Sequence, residues 1–117
     1  MSTIVPKMNI DEQRTVEFLN IIKASHRLNG IAAETPLQKN INLSDKYEAN
    51  IFLKREDLQV VRSYKIRGAY NLMSNLTAEQ AEKGVVCASA GNHAQGFAHS
   101  CKLLGIKGKV YMPTPTP

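Results

Sequence analysis

The chain has 117 residues, 43% of them hydrophobic and 21% charged, which is the balance of a globular domain with one core rather than two. Its formal net charge is +5, but the basic residues are scattered in no dense run, which argues against a nucleic-acid-binding stripe. No segment approaches the roughly 20 apolar residues of a bilayer span, so no membrane role is expected.

The first ten residues are polar and irregular and read as an arm. From Asp11 to about Leu28 the apolar residues Val16, Leu19, Ile22 and Ala24 recur at helical spacing, with acids in the first turn and Gly30 beyond the end, which predicts a helix. With these early acids and no apolar h-region, no signal or transit peptide is expected. Pro36 then forbids a helix interior. Strands are expected near 37–40 and 50–56, with a short helical turn near 43–47 between them.

Residues 65–76, "KIRGAYNLMSNL", set Ile66, Ala69, Tyr70, Leu72, Met73 and Leu76 on one broad helical face. Thr77 with Gln80 forms a capping-box signal for a further short helix, stopped by Gly84. "GVVCAS" reads as a buried strand, and "NHAQGFAHSCKLLG" as a helix with Ala94, Phe97, Ala98, Cys101 and Leu104 on one face and Gly105 as its C-cap. "KGKVYMP" is a last strand. Cys87 and Cys101 belong to no CxxC pair and read as reduced core thiols of a cytoplasmic protein.

Strand, helix, strand, helix, strand predicts an α/β domain with parallel strands and right-handed crossovers, in which ligands bind at the strand C-termini. Such folds continue past a strand with another helix, so a sequence ending in "PTPTP" reads as the front piece of a longer protein.

Two stretches carry chemistry. In "SAGNHAQG", residues 89–96, a small glycine-containing turn leads from a strand into a helix N-terminus, whose unpaired N–H groups and partial positive charge suit a carboxylate or phosphate. The same residues also suit a plain tight turn at Gly91 with Asn92 as helix cap. The spacing matches neither GxGxxG nor the GK[ST] ending of nucleotide sites. In "SYKIRGAYN", Lys65 stands at a helix start, where a cation gains nothing from the dipole. With Arg62 and Arg67 nearby and Tyr64 as an aromatic wall, it is either a solvated charge or an amine of lowered pKa, the kind that attacks carbonyl carbon.

His93 and His99 are not spaced as a helical metal pair and have no acidic or thiol partner. Packing and hydrogen bonding account for them, and His26 has no visible partner. Glu56 and Asp57, next to Lys54 and Arg55, read as a salt-bridge group rather than an acid/base pair.

Taken together, "SYKIRGAYN", "SAGNHAQG", and the preceding "TPL" and "LKRED" resemble the pyridoxal-phosphate enzymes of the tryptophan synthase β-subunit fold, and within them threonine dehydratase of the biosynthetic type. The resemblance runs from about residue 20 to the end. It implies fold type II, a three-layer α/β architecture with a parallel sheet, of which only the N-terminal portion is present. Residues 1–34 would be the arm and first helix, and about 50–117 the start of the smaller, cofactor-binding subdomain.

By the same resemblance, Lys65 would hold pyridoxal 5'-phosphate covalently, be displaced by the substrate amine and remove the Cα proton. Tyr64 would flank the cofactor, Asn92 would donate to its ring hydroxyl, and Ser89, Ala90, Gly91, Asn92 and His93 would hold the carboxylate of an amino-acid substrate. Racemising relatives carry serine where this chain has Ala90, so dehydration of threonine to 2-oxobutanoate and ammonia is the implied reaction. The phosphate loop and the ring-nitrogen contact of that family are not among these residues, so the chain alone is expected to be inactive and to need the remainder of its catalytic domain. The full-length relatives are homo-oligomers. The competing readings are a serine dehydratase, threonine synthase or cysteine synthase, or a non-catalytic module binding an anion or a protein.

Overall fold

The computed structural model describes residues 17–116; the arm and the part of the first helix expected from Asp11 through Val16 lie outside the described residues. Helix α1 (Phe18–Leu28) follows the predicted spacing but buries none of its residues. Leu19 and Ile22, expected to face a core, are exposed. α1 is tied down through a polar contact instead, Arg27 Nε donating to Asn71 Oδ1 at 2.8 Å.

Strand β1 (Leu37–Lys39) pairs with β2 (Phe52–Lys54), Gln38 opposite Leu53, and the pairing is antiparallel. This corrects the expectation of parallel strands for the first pair. The connection is a decorated hairpin rather than a crossover: the Asn40 N–H donates to the Ile51 carbonyl at 2.9 Å, closing the loop across its base. Inside it, helix α2 (Ile41–Lys46) starts earlier than expected because the Asn40 side chain caps it, accepting from the Leu43 N–H at 2.9 Å. β2 stops short of its expected end because Glu56–Leu58 turns into a 3-10 helix.

The second half follows its local signals closely. Helix α3 (Lys65–Met73) starts where expected and ends before Leu76. Helix α4 (Ala78–Lys83) carries the expected capping box, Gln80 N–H donating to Thr77 Oγ1 at 3.2 Å and Thr77 N–H to Gln80 Oε1 at 2.9 Å. Strand β3 (Val85–Ala88), helix α5 (Asn92–Leu104) and strand β4 (Gly108–Tyr111) form a parallel βαβ unit, Val85 opposite Gly108 and Ala88 opposite Tyr111. Gly105 ends α5 in the left-handed conformation at φ 67°, where a side chain would be strained.

The core sits between α3, α5 and one face of this sheet. Met73, Phe97 and Cys101 are buried together, with Val85, Cys87 and Val110 packed on them from the strands. Successive strand residues face opposite ways, so Val86 points away from the helices and is 68% exposed. The expectation of a buried strand is thereby corrected to a half-buried one, since the described helices cover one face. Leu72 and Ala98 likewise face outward; α5 is rolled so that Gly96 and Ser100 take the interior positions.

Candidate active site

Lys65 is the first residue of α3 and half-buried. The chain reaches it through Arg62, which adopts a left-handed backbone at φ 57°, a conformation costly for a non-glycine residue. Ser63 is buried, and its hydroxyl accepts the Lys65 N–H at 3.4 Å. The Lys65 ammonium lies 5.0 Å from the centroid of the Tyr64 ring, and Tyr64 is 59% exposed. An aromatic face with open surroundings thus stands beside the amine.

The two arginines near Lys65 in sequence are occupied elsewhere. Residues two apart on a helix point to different sides, and Arg67 turns to Glu56, its Nε donating to Oε2 at 2.9 Å and its Nη2 to Oε1 at 2.8 Å. Thr35 Oγ1 adds a bond to Oε1 at 2.6 Å. The Arg67 guanidinium, with help from Thr35 and Gln59, holds the Glu56 carboxyl down at about 2 despite the opposing effect of burial. Arg62 Nη1 reaches the Asp57 carbonyl at 3.4 Å. The salt-bridge reading of Glu56 and Asp57 stands: Asp57 takes its neighbour Arg55 at 2.7 Å, while Glu56 takes the more distant Arg67. Lys54 donates instead to the Thr35 carbonyl.

The turn of the second stretch leaves β3 directly, the Ser89 N–H still bonding Tyr111 O at 3.1 Å. Ser89, rather than Asn92, caps α5: its hydroxyl accepts from the Gly91 N–H at 3.3 Å and from the Ala94 N–H at 3.2 Å. The amides of Asn92 and His93, in the first turn of α5, have no acceptor among the described residues. Ala90, Gly91, Asn92 and His93 are all exposed.

A residue that sequence reasoning left without a role joins the two stretches. A Cβ at Gly96 would lie 2.9 Å from the Lys65 carbonyl carbon and 3.1 Å from the Ile66 nitrogen, so α5 touches the first turn of α3 backbone to backbone. Asn92 is one helical turn before Gly96 and therefore on the same face of α5. The Lys65 backbone thus meets α5 at Gly96, with Asn92 one turn away along the same helix. Glycine at helical spacing from Asn92 was the available signal.

The chemistry of the cysteines is that of core thiols: Cys101 is buried and Cys87 half-buried, and burial pushes both thiols above their ordinary range. Among the described residues no three His, Cys, Asp or Glu side chains gather as a metal site, and no helix is long and apolar enough to cross a membrane.

Residues 28–117 match the family model of the pyridoxal-phosphate dependent enzymes. The chain belongs to that family. The biosynthetic L-threonine dehydratase of Bacillus subtilis is 57% identical over 108 residues, which are 92% of this chain and 26% of that protein. Among solved structures, a processed threonine deaminase isoform from Solanum lycopersicum superposes with a TM-score of 0.75 at 40% identity, covering 100% of this chain and 34% of that one. Maize serine racemase gives a TM-score of 0.81 at 33% identity, covering 87% of this chain and 31% of that one. The chain spans about a quarter of the length of the curated relatives it matches. The family's three-layer α/β fold type II is therefore represented by its helix-covered parallel unit. The donor set fits the family's cofactor: a half-buried amine, an exposed aromatic face next to it, and an exposed amide side chain beside unpaired first-turn N–H groups.

Proposed function

We propose that this chain is the N-terminal part of the catalytic domain of a threonine dehydratase that converts L-threonine to 2-oxobutanoate and ammonia. The observation that carries this reading is the 57% identity to a biosynthetic L-threonine dehydratase over 108 residues. Pyridoxal phosphate, when bound, supplies an electron sink for the pair released at Cα. Lys65 would hold the cofactor through its ε-amine, and the same amine would take the proton from the substrate Cα. Tyr64 would flank the cofactor ring, and the Asn92 side-chain amide would be its hydrogen-bond donor.

The substrate carboxylate is held by the turn Ser89, Ala90, Gly91, Asn92 and His93. Ser89 fixes the turn by taking up the Gly91 and Ala94 N–H groups, which leaves the Asn92 and His93 amides, at the positive end of α5, for the anion. The Ala90 methyl has no exchangeable proton to return to the far face of Cα. This favours loss of the β-hydroxyl over racemisation.

The chain covers 26% of the Bacillus subtilis dehydratase, so on this reading it works together with further parts of the catalytic domain, in a cytoplasmic homo-oligomer. The complete catalytic chain is expected to form 2-oxobutanoate from L-threonine, with Lys65→Ala lowering kcat by about 1000-fold or more. Conversion of L-serine to D-serine without 2-oxo acid would instead support the racemase chemistry named for the maize neighbour.

A further inference from the structure

We propose that Glu56 is a positioning residue for the Lys65 amine, acting through Arg67 and the loop that precedes β1. This rests on Lys65 being the amine that holds the cofactor. The first turn of α3 is gripped from two sides. On one, Gly96 lets α5 meet the Lys65 backbone directly, with Ile66 fully buried. On the other, Arg67 forks onto both oxygens of Glu56.

Glu56 is itself anchored. Gln59 is 1% exposed and clasps the backbone of Ala33, accepting its N–H at 2.9 Å and donating to its carbonyl at 2.9 Å. The same amide nitrogen donates to Glu56 Oε2 at 3.2 Å. Arg67 Nη2 also reaches the Ala33 carbonyl at 3.1 Å. Through Thr35 and Gln59 the Glu56 carboxylate thus joins the loop before β1, the 3-10 turn and α3 into one hydrogen-bonded unit. A bidentate arginine–carboxylate pair fixes direction as well as distance. Because Arg67 points away from Lys65, the clamp holds the back of the turn whose front presents the amine. Misplacement by about 1 Å of a reacting group can cost about a hundredfold in rate.

The test uses the complete catalytic chain loaded with pyridoxal phosphate. Glu56→Gln is expected to keep borohydride-trapped label at Lys65, to lower kcat about 10- to 100-fold, and to leave KM within about threefold. Arg67→Lys keeps the charge but not the fork; its kcat is expected between the two, and it carries the test where Glu56→Gln fails to fold. If the wild type is labelled at Lys65 while the variants keep wild-type kcat, or lose it only in proportion to the unfolded fraction, the positioning role is overturned and the reading of the site survives. A wild type unlabelled at Lys65 overturns both.

Discussion

Glu56 shows how one side chain sets both stability and its pH dependence. Its carboxyl titrates at about 2 against an ordinary 4.5, chiefly through the Arg67 bond. A depressed carboxylate pKa stabilises the fold above about pH 4.5, and that contribution is lost as pH falls toward 2. Its size is about 3 kcal/mol as an upper bound. Glu56→Gln is expected to lower stability at pH 7 by about 2–3 kcal/mol and to flatten the decline between pH 4.5 and 2; urea unfolding at pH 7, 4 and 3 measures both. Gly96 is the other decisive residue. A methyl group there meets backbone, not a yielding side chain, so Gly96→Ala is expected to cost about 1–3 kcal/mol and to shift α3 against α5, read as a lower Tm and altered amide shifts around Lys65.

Among the elements, α4 and α5 were legible from sequence. α4 announces both ends, with Thr77 and Gln80 at one and Gly84 at the other, and Thr77→Ala is expected to cost about 1 kcal/mol in thermal unfolding. α5 was equally plain, since Gly105 closes it. What escaped depends on partners far away in the chain. The antiparallel β1–β2 pair is decided by the Asn40 to Ile51 bond across a loop, which no periodicity encodes. The Glu56 clamp joins residues from Ala33 to Arg67, a span over which no local pattern pairs Glu56 with Arg67. Both stretches could be singled out because each is contiguous, whereas Gly96 as a point of contact required knowing that α3 lies on α5. Phe97, at the centre of the core, is expected to cost about 3–5 kcal/mol on Phe97→Ala, a loss that calorimetry would resolve.

For the molecule as a whole, the balance of covered and open apolar surface is telling. Phe18 and Leu19 on α1, and Val86 and Tyr111 on the sheet, are all exposed, and β3 and β4 each have a free edge among the described residues. Open edges and apolar faces favour association. The 117-residue chain by itself is therefore expected to self-associate with rising concentration and to bind a hydrophobic dye; sedimentation as a compact monomer with no dye binding would contradict this. On the proposed reading, Lys65 is the amine that holds the cofactor. Borohydride reduction of the complete catalytic chain with pyridoxal phosphate, followed by peptide mapping, tests it most directly. One labelled peptide containing Lys65, lost in Lys65→Ala, is expected; label spread over many lysines, or unchanged by that substitution, would overturn the assignment.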